Sequence, residues 1–320
     1  AYPDDSSMFV APMIGVLEDS LGLDATYRPF PSLESLLGSG DVVAGDVVIA
    51  PFLRDVRSGY EEMMKGCAMI YAADPLLNNA AYQRLLSFDT PLNIIDTSDY
   101  GCAVNYPDSI HRIFKTSYSS STEAGRCDNV TPLPYGLEYA DRKVFYGSVA
   151  QYALPLLERP LLVYFQGSWN ERKPSRLAMD RELNSVMPDL ETLAAARGRS
   201  VVYELIDKTS SYSEYLNEDG EEMSYMELLG KAVFVLVPFG DMTVGGALWE
   251  ALEYGAIPIV EGSPAYKGCQ DPFGWIEAEC ADCLLKVRDF TTLPSVLEGL
   301  LQDEAALEGR RDALQSWYAS

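Results

Sequence analysis

The run Arg172-Lys173-Pro174-Ser175-Arg176 places three cations within five residues, where an apolar strand-like segment gives way to a proline that can open a helix. Proline suits a first helical position because its missing N–H is unbonded there anyway. The free N–H groups of a helix start, with cations beside them, make a ready cradle for a diphosphate. The plain alternative is a solvated basic turn. The rest of the chain tips the balance toward phosphate contact, because 24 Lys and Arg face 48 Asp and Glu, for a net charge of −24. Cations gathered at one strand end therefore stand out against the general field.

A second concentration lies in Tyr225 to Gly262. Val233 to Val237 is a short β-branched and apolar run bounded by Pro238 and Gly240, which predicts a parallel strand covered on both faces. The turn from Gly240 through Thr243 to Gly245-Gly246 opens a helix over Ala247 to Glu253, closed by Tyr254-Gly255, and Ile257 to Val260 forms the next strand. Ligands of open parallel sheets bind beyond the carboxyl ends of the strands, so residues 238–247 and 261–265 are expected to line one crevice. Glu250 is the oddity: it sits mid-helix among Leu248, Trp249, Ala251 and Leu252, and a carboxylate there needs a hydroxyl or amide partner.

The elements that would position these residues alternate. In the first part of the chain, residues 45–51, 69–72 and 92–96 read as strands, with helical spacing over 60–65 and 79–87. The third strand runs into Asp96-Thr97-Ser98-Asp99-Tyr100-Gly101, which sets two acids past a carboxyl end. In the second part, Leu161 to Phe165 reads as a strand and Gln166-Gly167-Ser168-Trp169-Asn170 as a turn. A helix is expected over Ser175 to Asn184, a strand over Ser200 to Asp207, a helix over 225–231 capped by Ser224, and a final helix over most of 295–317. Residues 119–129 and 209–220 read as loops, the first as a flap. Alternation of this kind predicts α/β architecture with parallel sheets. A chain of 320 residues, 48% apolar, supports two cores better than one. The expected division is 1–150, 151–300 and a closing helix in 301–320.

Phe234, Pro238-Phe239-Gly240, Leu248-Trp249-Glu250-Ala251-Leu252 and Gly255-Ala256-Ile257-Pro258-Ile259 resemble the C-terminal half of exostosin-like glycosyltransferases. Asp271-Pro272-Phe273-Gly274-Trp275 resembles that family's Pro-Phe and Trp segment. Ile110 to Tyr139, with Arg112 to Tyr118 and then Leu133-Pro134-Tyr135-Gly136, loosely resembles its link region. The resemblance lies mainly in residues 160–280. It implies a two-lobed GT-B fold, with Rossmann-like lobes facing a central cleft and the last helix crossing back to the first lobe. It also implies an inverting enzyme that moves a sugar from a UDP-sugar to a glycan or glycoprotein acceptor. Glu250 would meet the ribose, Arg176 the diphosphate, Gly167 the same strand end, and Tyr266 could stack on the base. The acceptor's proton would go to a base in the first lobe, with Asp99 and Asp96 as first candidates and His111 behind them. An Asp at a strand end followed by Ser and Gly is more often a turn or helix cap than a base. Where the family has Ser and Arg, this chain has Gly245 and Ala247, which leaves a second expectation: a catalytically silent subunit supporting a partner enzyme, as a homo- or hetero-dimer.

Composition narrows the classes further. A net charge of −24 repels phosphate backbones and argues against nucleic-acid binding over a broad surface. The absence of any Asp-x-Asp motif disfavours a Mn²⁺-dependent single-lobe glycosyltransferase, so neither cofactor nor metal is expected. No run approaches the roughly 18 to 20 apolar residues that span a bilayer, and AYPDDSSMF does not read as a signal peptide. The resemblance implies a Golgi or ER lumen setting behind an N-terminal anchor outside this sequence, with a soluble cytoplasmic protein as the alternative. The cysteines at 67, 102, 127, 269, 280 and 283 are compatible with disulfides, and Asn129-Val130-Thr131 is a glycosylation sequon. Cys280-Ala281-Asp282-Cys283 reads as structural rather than as a redox or zinc pair.

Overall fold

The computed structural model describes four strands in the first part of the chain and, from residue 153 to 319, everything except 170–172, 208–212, 214, 217–219, 221, 241–243, 263–264, 267–268 and 282. The chain divides into two compact units, Ala1–Tyr139 with Ala265–Pro272, and Ala140–Pro264 with Phe273–Ser320.

In the first unit β1 (Val47–Ile49), β2 (Leu92–Asp96), β3 (Ile110–Lys115) and β4 (Val130–Pro132) form one sheet in that order, with every neighbouring pair parallel. The strands expected near 45–51 and at 92–96 are β1 and β2. The stretch read as a basic link contributes β3 and β4 instead. Ile110, Ile113 and Phe114 give it enough β-formers to pair with β2 despite Arg112 and Lys115. The expected elements at 60–65, 69–72 and 79–87, the flap at 119–129 and the Leu133 to Gly136 segment lie outside the described residues.

The second unit holds a five-stranded parallel sheet. Its strands are β5 (Leu161–Trp169), β6 (Ser200–Asp207), β7 (Ala232–Val237), β8 (Ile257–Glu261) and β11 (Leu285–Val287). A small antiparallel pair, β9 (Ala265–Tyr266) and β10 (Cys269–Gln270), belongs to the first unit. The spatial order is β6-β5-β7-β8-β11, or 2-1-3-4-5 in local chain order, which is a doubly wound arrangement. β7 is buried along its whole length, as its continuous apolar run predicts.

The helices are α1 (Pro174–Ala195), α2 (Tyr225–Lys231), α3 (Gly246–Glu253), α4 (Gly274–Glu279), α5 (Leu293–Leu300) and α6 (Glu304–Ala319). α1 runs eleven residues past its expected end, through Pro188. Proline breaks a helix by removing one backbone bond, but Pro188 is on the solvent face while Met179, Leu183, Leu190 and Ala194 are buried along the other. Packing holds the helix, and water can take the freed carbonyl. β5 continues four residues beyond Phe165 because Gln166 to Trp169 pair with Glu204 to Asp207. The single final helix is two helices, because Asp303 caps a new start by accepting from the Ala306 N–H at 2.9 Å. α6 packs within the second unit, with Trp317 and Tyr318 stacked near Trp249 and Gln315 bonded to the Leu252 carbonyl.

Two local devices fix the ends that matter for the site. Ser224 and Glu227 exchange bonds in a capping box that starts α2 at Tyr225. Gly255, at φ 64°, closes α3 with Ala256 N–H on the Ala251 carbonyl and Gly255 N–H on that of Leu252. Arg159, 2% exposed, then ties the base of the sheet together. It donates to the carbonyls of Leu154, Ala232 and Tyr254 at 2.9, 2.7 and 2.7 Å.

Cys280 and Cys283 are joined by a disulfide, and Cys280 is the C-cap of α4. Reactive Cys-x-x-Cys pairs put a thiolate at a helix N-terminus; the negative end of a helix has the opposite effect. The pair therefore lacks the helix N-terminus that such reactive motifs use. Among the described residues no helix is long and apolar enough to cross a membrane.

Candidate functional site

β5 and β7 are neighbours, yet their pairing ends at Tyr164 and Val235. β5 continues to Trp169 against β6, and β7 to Val237 against β8. The two strands therefore part near their carboxyl ends, and this is where the strand order reverses. In doubly wound sheets such a switch point is the ligand crevice.

Arg176, in the first turn of α1, fills one side of the gap. Its Nη1 donates to the Ser168 carbonyl at 2.6 Å. A Cβ on Gly167 would lie 3.2 Å from Nη1, and one on Gly240 would lie 3.1 Å from Nη2. The guanidinium thus passes between two glycines, one past the parting of β5 and the other past the end of β7. At Gly167 even a methyl group would come within 2.5 Å of the Phe165 ring, so the bare backbone is required there. Lys173, buried, is the N-cap of α1 and makes no side-chain capping bond. The first turn of α1 also lacks acids, which leaves its dipole uncompensated on its own helix. Arg172 lies outside the described residues.

The other side of the gap is built by α2 and α3. Parallel crossovers are right-handed, so a helix leaving β5 toward β6 and one leaving β7 toward β8 fall on opposite faces of the sheet. Side-chain alternation along β5 agrees. The bare face of Gly167 meets the Phe165 ring and Arg176 of α1, while the Tyr164 ring lies 5.9 Å from the Tyr225 ring of α2. On this second face the buried Glu250 accepts from Tyr225 Oη at 2.6 Å, which supplies the hydroxyl its position demands. Beside it a relay runs from Tyr164 Oη to Gln166, and from Gln166 to Glu204, which also accepts from Ser213. Pro238 is buried where β7 ends, Gly245 is the N-cap of α3 and Gly246 its first residue. A Cβ on Gly245 would meet nothing within 4 Å, whereas one on Gly246 would be 3.9 Å from Glu250 Oε1. Thr243 lies outside the described residues.

Glu261 ends β8, at the edge of the 261–265 stretch that the sheet pattern sets against the crevice. Its Oε2 accepts from the Phe239 N–H at 3.2 Å. Burial raises its pKa above the usual carboxylate value and the nearby Glu182 pushes the same way, against the Phe239 N–H and the Ser175 hydroxyl. The folded protein therefore holds this proton more tightly than the unfolded chain. That contribution to stability is present below the unfolded pKa and is lost as pH rises through the folded one. Glu261→Gln is accordingly expected to melt above the parent at about pH 7.5, with the gap closing toward about pH 4.5. Thermal melts at both pH values check this; an unchanged gap would show that Glu261 is not the source.

In the first unit Asp96 ends β2 opposite Lys115, while His111 stands near the start of β3. Four residues of strand, roughly 13 Å, separate the levels of Asp96 and His111, so the backbone sets these two candidate bases toward opposite ends of their sheet. The side chains of Asp96, His111 and Tyr266, and all of Asp99, lie outside the described residues. Among the described residues no cluster of three or more His, Cys, Asp or Glu side chains could hold a metal ion.

The sheet order defines the second unit as a doubly wound α/β domain. No protein-family model matches the chain, and no curated protein does. Solved structures with a related course include WaaG, a glycosyltransferase involved in lipopolysaccharide biosynthesis. It has 15% identity and a TM-score of 0.37, over 100% of this chain and 80% of that one. HepE from Anabaena, solved in complex with UDP, has 9% identity and a TM-score of 0.38, over 89% of this chain and 84% of that one. Both superpose loosely.

Proposed function

We propose that the chain is a two-lobed GT-B glycosyltransferase of the exostosin type, inverting and metal-independent, which takes a sugar from a UDP-sugar to a glycan or glycoprotein acceptor. The observation that carries this reading is the Arg176 guanidinium held between Gly167 and Gly240 where β5 and β7 part. A diphosphate there would meet that cation, Lys173 and the N-terminus of α1. The nucleoside would extend to the second face, where Glu250 can accept from ribose hydroxyls. In the reaction the bond from the sugar's anomeric carbon to the diphosphate breaks as the acceptor oxygen attacks from the opposite side. The acceptor's proton passes to a base, Asp99 or Asp96, and the leaving diphosphate is stabilised by Arg176. Residence in the Golgi lumen behind a membrane anchor belongs to the same reading.

UDP is expected to raise the melting temperature by an amount that grows with concentration, as it must if it binds only the folded state. A panel of UDP-sugars, scored for binding and for hydrolysis, then identifies the donor. No shift at millimolar UDP would remove the proposal. A shift without hydrolysis or transfer of any sugar would favour the silent subunit, to which Gly245 and Ala247 point by leaving the start of α3 without the resemblance's cation.

A further inference from the structure

The second face of the crevice holds a contact that the sequence does not announce. Glu250 is 6% exposed and is the one acid among the buried polar side chains of the described residues. Tyr225 Oη reaches its Oε2 at 2.6 Å from another helix, 25 residues earlier in the chain. Three features make Tyr225 a fixed donor. The capping box of Ser224 and Glu227 sets the residue at the first position of α2. Its ring lies against that of Tyr164, 5.9 Å away and tilted by 55°. The hydroxyl of Tyr164 is itself taken up by Gln166, and Gln166 by Glu204, so the neighbouring polar groups have their own partners.

A phenol holds a carboxylate without cancelling its charge. A carboxylate offers about four lone-pair sites, and Tyr225 takes one of those on Oε2. Oε1 is turned toward the first turn of α3, 3.9 Å from where a Gly246 Cβ would stand. A carboxylate that takes a phenol on Oε2 keeps further lone pairs suited to accept from a pair of vicinal hydroxyls, as a ribose presents.

We infer that Tyr225 is a positioning residue that aims Glu250 at the ribose diol of the donor nucleotide and thereby sets the site's preference for ribonucleotides. This rests on the reading of the crevice as a nucleotide-sugar site. The test is calorimetric binding of UDP and of its 2′,3′-dideoxy analogue to the full chain and to Tyr225→Phe, with the melting temperature of each protein measured alongside. The parent is expected to prefer UDP by about tenfold or more, the scale of a hydrogen bond to a charged group. Tyr225→Phe should weaken UDP by about tenfold, leave the dideoxy analogue nearly unchanged, and bring the ratio of the two close to one. Loss of the bond to a buried carboxylate lowers the melting temperature under either role, so the nucleotide ratio decides: a purely structural contact would weaken both nucleotides equally and leave the ratio intact, and that result overturns the assignment. If the parent binds no UDP, the site reading falls and takes this inference with it. If the parent binds UDP and the dideoxy analogue equally, the site stands and the inference alone fails.

Discussion

Arg159→Leu is expected to lower the stability of the second unit by about 4 kcal/mol, the largest effect of any single change considered for this fold. Burial, and secondarily Arg311, depress the guanidinium pKa to about 10, so it remains charged at neutral pH. Its cation is met by the carbonyls of Leu154, Ala232 and Tyr254, which belong to the lead-in to β5, the start of β7 and the end of α3. Leucine fills much of the volume but donates nothing, so two buried carbonyls, of Ala232 and Tyr254, lose this donor at once, each worth about 1–3 kcal/mol when left unmet, together with the part-buried carbonyl of Leu154. Partial water entry limits the total. For a unit of this size the melting temperature should fall by roughly 8–16 °C, read by circular dichroism at fixed pH. Arg159→Lys should recover only part of the loss, because an ammonium cannot span three divergent carbonyls. A fall of under about 2 °C for the leucine variant would show that these carbonyls find other donors.

Arg176→Ala should abolish detectable UDP binding, or weaken it by about 30-fold to 150-fold, which corresponds to about 2–3 kcal/mol for a charge-assisted contact in a partly dry crevice. Arg176→Lys should restore part of the affinity through charge, though not the planar fit between Gly167 and Gly240. Calorimetric titration with UDP separates the two variants. Their melting temperatures without ligand should differ from the parent's by little, since the bond lost to the Ser168 carbonyl is one at the edge of the crevice. Unchanged UDP affinity in Arg176→Ala would take the phosphate away from this position.

The parts of this arrangement that could be read from the chain are those with local causes. β7 follows from an unbroken apolar run, α2 from Ser224 and Glu227, and the end of α3 from Gly255. The parts that could not be read depend on residues distant in sequence. Gln166 to Trp169 look like a turn until β6 supplies a partner for each. Pro188 looks like a stop until the buried face of α1 is known on both sides of it. Asp303, by contrast, is a local cap ahead of Glu304 whose signal is masked by the longer helical pattern around it. In the candidate site, Arg176 and Glu250 stood out by type and surroundings. Tyr225 did not, because a tyrosine opening a helix is unremarkable until the fold brings α3 beneath it.

Three of the chain's four tryptophans, Trp249, Trp275 and Trp317, have ring centroids within 6.3 Å of one another, and Tyr318 joins them on Trp249. Rings this close couple their transitions, so this aromatic nest gives the near-ultraviolet dichroism a contribution of its own. Half of it is carried on the last turn of α6. The protein thus contains an intrinsic optical gauge of whether its C-terminal end is seated, readable without any label.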